Sequence, residues 1–263
     1  MRLYWEIARR GFRRYAAYPA ATIAGVFTNT VFGFIQTYVM LAVFEQRAEI
    51  GAYDATDVVT YVWLAQALLM TIYIWGWFDV ARRVRTGDVA TDLHRPFDFQ
   101  YYWLAHDLGR AGYHALFRGL PPFVFGALFF DLNVPRSPLT WLAFVLSVVL
   151  AVAISFAFRF LFNLVSFWLL DYRGAGVLAM VVSTFFSGMI IPIVLFPDWL
   201  EKLAWALPFA GMVQAPVEIF LRHVGGLEAV GLLALQAFWA VALLGLGRLA
   251  FNAGARRLVV QGG

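Results

Sequence analysis

Long apolar runs bounded by charge set the pattern of this chain. A hydrocarbon layer about 30 Å thick is crossed by about 20 apolar residues in a helix. Six stretches of the 263-residue sequence fit that length: 20–44, 58–80, 111–130, 139–165, 174–196 and 227–251. The third is the least regular, because it holds Arg118 and the pair Pro121-Pro122. Ahead of the first run, Trp5, Ala8, Phe12 and Tyr15 recur at helical spacing among arginines, which predicts a helix over residues 1–19 lying on a leaflet until Pro19 turns the chain inward. No internal repeat or low-complexity linker divides the sequence. The pattern predicts one all-α integral membrane domain over residues 1–263.

Two connections are long. Residues 85–110 are too polar to span, and they carry turn signals of ordered structure. Thr86-Gly87-Asp88 can open a short helix through His94, Pro96 ends it just after Arg95, and Asp98 can cap a second helix running into the third span. Residues 197–226 divide into two apolar helices, each too short to cross, separated by Pro208 and Gly211, with Pro197 and Pro216 suited to first turns. Helices of this kind survive at membrane depth where protein covers their ends, so this pair is expected to dip back from one face. Glu218 and Arg222 stand four apart and can pair on one face of the second.

Composition agrees with the pattern and narrows it. Hydrophobic residues make up 62% of the chain and charged ones 14%, against roughly 25% charged in soluble domains. There is too little charge to coat a soluble globule. Without cysteine, thiol chemistry, disulfides and Cys-based metal sites are excluded. Lys202 is the sole lysine and lies between Glu201 and Leu203, so the chain has no P-loop. With the N-terminus inside, the predicted inner segments hold thirteen arginines and the outer ones four basic residues. That bias places both termini in the cytoplasm.

Polar groups within spans are candidates for function or for packing. Gly25, Asn29, Gly33 and Gln36 share a face of the first span and read first as a helix-packing seam, with a polar pathway lining as the alternative. Arg159, Asn163 and Ser166 form a stripe in the fourth span, where Arg159 is expected to snorkel to the inner surface, as is Arg118 in the third. A membrane-embedded lipid-modifying enzyme would need convergent acids, bases or metal ligands. Asp88 and Asp92 are the nearest approach to that, four apart on one predicted helix, but Arg95 and its neighbours can satisfy their charge. A non-transporting assembly subunit is the third reading.

The loop pattern G-D-x-x-x-D-L-x-R-P-x-x-x-Q-x-Y-W-L-A-x-D-L-G-R from Gly87 to Arg110 resembles the membrane permeases of type-2 ABC transporters, in particular six-span permeases with no large extracellular domain. The likeness continues in Phe117-Arg118-Gly119-Leu120-Pro121-Pro122, Ser187-Gly188-Met189-Ile190-Ile191-Pro192, Leu207-Pro208-Phe209 and Ala215-Pro216-Val217-Glu218-Ile219. It covers most of the chain from the second span onward, with His106 where Arg is more usual, while residues 1–57 match in pattern alone. The resemblance implies that Gly87, Asp88, Asp92, Leu93, His94, Arg95 and Pro96 form a coupling helix docked on a separate ATP-binding cassette ATPase. It implies two such ATPases, which bind the ATP and Mg, with this chain holding no cofactor. It also implies a second copy or a sister permease, and no nucleic acid. Asn29, Phe32, Gln36, Phe185, Phe186 and Met189 would line a path for an exported amphipathic, drug-like or lipid-like substrate. Pro197, Trp199, Pro208, Pro216 and Glu218 would belong to an outer gate, and the location would be a bacterial inner membrane.

Overall fold

Helices make up most of the computed structural model, which describes residues 2–46, 49–169 and 171–257. Met1, Arg47, Ala48, Leu170 and residues 258–263, the end of the predicted cytoplasmic tail, lie outside the described residues. Among those described there is no strand beyond one isolated bridge between Ile50 and Tyr53. Among the described residues, four helices are long and apolar enough to cross a membrane: Pro19–Phe44, Ala55–Tyr73, Pro138–Phe167 and Leu227–Ala255.

The amphipathic N-terminal helix is α1 (Arg2–Ala16), and Pro19 opens α2 (Pro19–Phe44), as the sequence predicts. Helix α1 packs on α6 (Phe99–His114) through backbone contact. A Cβ at Gly109 would lie 1.8 Å from the Ala8 carbonyl oxygen, and one at Gly11 would lie 2.4 Å from that of His106. Any side chain at either glycine would force the helices apart. Phe12 and Tyr15 close the contact against Tyr113 and His114, while Trp5 remains exposed.

Two of the predicted spans need correction. The second, placed at 58–80, is α3 (Ala55–Leu68) followed by a π turn (Leu69–Tyr73), after which residues 74–78 are unwound. Tyr73 and Gly76 both have positive φ, so the helix cannot continue. The carbonyls released there are captured by polar groups of neighbouring helices. Arg110 donates to the Met70 and Thr71 carbonyls, Ser155 to that of Ile72, and the Asn163 side-chain amide to that of Trp77, while the Asn163 side-chain Oδ1 accepts from the Ala81 N–H. Irregular backbone at membrane depth is tolerable only with such partners.

The third span, placed at 111–130, continues the helix capped by Asp98, as the sequence predicts. Helix α6 runs through a π turn (Ala115–Gly119) into α7 (Leu120–Phe129) without a break. Pro121 and Pro122 lack the N–H groups that would have bonded Phe117 and Arg118, and the π turn absorbs the mismatch just ahead of them. The fifth, placed at 174–196, is α9 (Arg173–Phe186), which stops short. Gly188 takes a positive φ and Pro192 follows, so the chain turns back. The fourth and sixth emerge as α8 (Pro138–Leu164) and α12 (Leu227–Ala255), packed against each other.

Between α3 and α6 lie α4 (Asp79–Thr86) and α5 (Asp88–Leu93), and between α9 and α12 lie α10 (Asp198–Ala206) and α11 (Gln214–Leu221). One apolar core fills the centre, around Tyr61, Leu64, Ile72, Ile154, Met212, Val217 and Phe220. A second, rich in aromatics, lies beneath α4 and α5: Trp77, Val80, Val89, Phe99, Trp103, Phe156, Phe160 and Phe251. Near this second core, Arg159 does not snorkel. It is 1% exposed and its Nη2 lies 2.7 Å from Oδ2 of Asp107, whose Oδ1 accepts from Arg110 Nε at 2.7 Å. Both guanidinium groups also stack over the Tyr73 ring. The stripe on α8 is an internal clasp.

Candidate functional site

Gly87 to Pro96 form a single protruding knob. Gly87, with φ of 79°, ends α4 and begins α5, a sharp reversal that glycine makes without strain. Val89 and Asp92 face inward. Val89 is fully buried in the aromatic core, and Asp92 pairs with Arg83 at 2.6 Å and Arg95 at 3.4 Å. Arg83 also lies over the Trp103 ring, which ties the knob to α6. Gly87, Asp88, Leu93, His94, Arg95 and Pro96 are exposed, and Leu93 presents 40% of its surface. Asp88 accepts from the Thr86 hydroxyl at 2.7 Å, so it does not converge with Asp92 on a common ligand. Asp98 caps α6 as expected, accepting from the Tyr101 N–H at 3.0 Å, and also pairs with Arg248 of α12.

The residues predicted to line a path divide between two surfaces. Asn29 is buried and donates to the Gln66 carbonyl at 3.2 Å, and the Gln36 side chain accepts from the Gln66 amide at 2.8 Å. Gly33 lies against Trp63 on the same side. These amides join α2 to α3, which is the packing-seam reading. Met189 is also buried, and Phe186 is half-buried between Phe185 and Phe209. Phe32 and Phe185 instead face outward. Phe32 belongs to an exposed side of α2 with Phe27, Ile35 and Tyr38, and Phe185 continues an exposed side of α9 with Leu178 and Val181. Its ring stacks on Phe196 at 5.0 Å.

On the opposite side of the molecule from the knob, α11 is fastened to the start of α3. The predicted Glu218–Arg222 pair is not made, because Arg222 takes a left-handed conformation that ends α11 and turns its side chain to Asn133. Glu218 instead accepts from Tyr53 at 2.8 Å, from Gln214 at 2.6 Å, and faces Nδ1 of His223 at 3.1 Å. Nε2 of His223 faces Asp57 at 3.0 Å. Asp57 also accepts from Asn133 at 2.7 Å, and Tyr61 reaches the Gly188 carbonyl at 2.7 Å beside Gln214. Pro208 and Pro216 are buried in this assembly, while Pro197 and Trp199 are exposed at its rim. Tyr53, Asp57, Gln214 and His223 were not singled out from the sequence, since a lone His and scattered acids carry no spacing signal.

Carboxylates only accept, so both His223 contacts exist together only when the imidazole is protonated on both nitrogens. Its hydrogen bond to Glu218, reinforced by Asp57, raises its pKa above the ordinary value against the opposing effect of burial. Burial and Glu218 together raise Tyr53 well above its ordinary value, which keeps the phenol a donor. A raised folded-state pKa stabilises fully below the unfolded value of about 6.5, and that stabilisation is lost as pH rises through the folded value. Thermal unfolding of the purified chain should therefore show less stability at about pH 9 than at about pH 6. His223→Gln should flatten that difference; an unchanged pH dependence in the variant would mean that another group carries it.

A protein-family model described as ABC-2 family transporter protein matches residues 27–262. No curated protein matches the sequence.

Proposed function

The chain belongs to the ABC-2 transporter family, and on that premise we propose that it is the permease of an exporter driven by separate ATP-binding cassette subunits. The family consists of transport membrane subunits that are not themselves catalytic. The observation that carries the reading is the knob at 87–96, where an exposed Leu93 sits on a helix anchored by Val89 and Asp92. An apolar side chain held rigidly on a charged cytoplasmic loop suits insertion into a partner cleft.

In this reading the assembly holds two ATPases, which supply the ATP and Mg, and this chain binds no cofactor of its own. It holds a second copy of this chain or a sister permease as well. The continuous helix from Phe99 to Phe129 and the unit formed by α9 with α10 and α11 serve as crossings alongside the four long helices, making six, with both termini in the cytoplasm of a bacterial cell. The thirteen-to-four charge bias supports that orientation. The exported substrate is amphipathic or lipid-like and passes between permeases. The pathway surfaces are the outward sides of α2 and α9, with Phe32 and Phe185, since Asn29, Gln36 and Met189 are committed to internal packing. Helices α10 and α11, with Pro197, Trp199, Pro208, Pro216 and Glu218, form the outer gate, held shut by the contacts of Glu218 and His223.

One cross-linking experiment in native membranes tests both contacts, because the chain has no cysteine of its own. A single cysteine introduced at His94 should capture an ATP-binding cassette protein, and one at Phe32 or Phe185 should capture a permease. Permease cross-links arising only from α12, for example from Val241, would overturn the pathway. A purified chain that turned over a lipid with no ATPase present would overturn the transporter reading in favour of an enzyme.

A further inference from the structure

Where α1, α2 and α6 meet, two polar side chains carry buried atoms that bond nothing among the described residues. His114 is 3% exposed, and neither ring nitrogen has a hydrogen-bond partner. One turn further on, within the π turn, Arg118 has a buried Nε without a partner. Among the described residues, no carboxylate lies within ion-pair distance of its guanidinium. Arg110, one turn before His114, is by contrast fully committed to Asp107 and to backbone carbonyls.

The depth of this pair is set by α2. The Arg118 guanidinium lies so close to Gly25 that a Cβ there would fall 2.0 Å from Nη2. Gly25 is six residues past Pro19, or about 9 Å along the helix. With Pro19 at the cytoplasmic membrane surface, as in the proposed orientation, Arg118 would lie within about 9 Å of that surface rather than at the bilayer centre. Tyr15 of α1 approaches His114 at 4.8 Å, and Tyr113 bonds Thr22 at 2.8 Å, so the surrounding walls are well defined. The last turn of α1 adds Arg13 and Arg14, both exposed. On the adjoining flank of the π turn, Ala115, Leu116, Gly119 and Leu120 line an open apolar groove of about 500 Å³.

We propose that His114 and Arg118 hold the phosphate of an inner-leaflet amphiphile, whose acyl chain lies along the groove beside the π turn. A phosphate offers several strong acceptors to a guanidinium and one more to an imidazole N–H. It offers acceptors to both the Arg118 guanidinium and the His114 N–H at once, and the arginines of α1 favour its negative charge. A free anion in the cytosol would offer the same acceptors, and it differs from a lipid in having no chain for the groove. The site rests on the membrane placement of α2 and not on docking to an ATPase, so it can fail while the cross-link from position 94 succeeds.

Native mass spectrometry of the full-length protein, released from vesicles of phosphatidylglycerol or from vesicles supplemented with phosphate-free diacylglycerol, reads the site directly. Phosphatidylglycerol should be retained and diacylglycerol should not. Arg118→Gln should weaken retention by about tenfold or more, the loss expected of one charge-assisted hydrogen bond. Arg118→Lys should restore part of it, and Arg173→Gln, on a different inner turn, should leave it unchanged. If Arg118→Gln does not fold, His114→Phe carries the same expectation. Wild-type retention in either variant, or equal retention of diacylglycerol, would overturn the proposal. Displacement of the lipid by inorganic phosphate alone would overturn the assignment to an amphiphile in favour of a free anion.

Discussion

Asp107→Asn is expected to cost this chain about 3–5 kcal/mol, the penalty for leaving a buried charge without its partner. Here one carboxylate serves two guanidinium groups, Arg110 and Arg159, each almost wholly buried. The loss is comparable with the entire stability of an ordinary domain, about 5–15 kcal/mol. Arg110 also holds the carbonyls freed where α3 unwinds, so the damage should spread to residues 74–78 and to the knob beyond them. The measurement is thermal unfolding and monodispersity in detergent. Adding Arg159→Gln to Asp107→Asn should recover part of the loss, because it removes one of the stranded charges. An Asp107→Asn protein that melts with the wild type would show that the clasp contributes nothing.

Leu93→Asp is expected to do the reverse, sparing the fold while breaking the assembly. Leu93 is exposed, and substitutions on exposed surface usually fall within about 0.5 kcal/mol. If the side chain enters a cleft on the ATPase, the new charge is desolvated there at a cost of roughly 2–5 kcal/mol. That corresponds to an affinity loss of about thirtyfold or more. Co-purification with the ATPase and stimulation of its ATP hydrolysis should fall together, with membrane insertion unchanged. Wild-type stimulation by the variant would mean that the knob is only a solvated surface.

Much of the architecture follows from local signals. Pro19, Asp98 and Pro197 mark helix starts, and Gly87 marks the reversal between α4 and α5. Those features depend on residues adjacent in sequence. The errors arise where tertiary partners decide. An apolar run at 58–80 gives no warning that Ser155, Asn163 and Arg110 will accept an unwound segment at 74–78. Arg159 reads as a snorkelling residue until Asp107, distant in sequence, is brought against it. The seam on α2 is different, because small and amide residues repeating every turn already point to close packing, and its exposed side is whatever lies opposite. The His223 contacts could not be read at all. They join the start of α3 to the end of α11, and only the fold places those residues together.

If α1 lies on the leaflet as proposed, the glycine crossing of α1 and α6 would make the lipid a mechanical load on the transporter. With backbone set against backbone at Gly11 and Gly109, there is no compliant side-chain layer between the two helices. Helix α1 cannot lag when α6 tilts, and the base of α6 is joined through Pro96 and Asp98 to the knob that an ATPase would push. Each stroke would then have to plough an arginine-studded rod through the head groups, and the work per cycle would rise with the lateral pressure and charge density of the inner leaflet. Turnover in stiff, anionic membranes should accordingly be slower than in fluid, neutral ones, even with ATP binding unaltered.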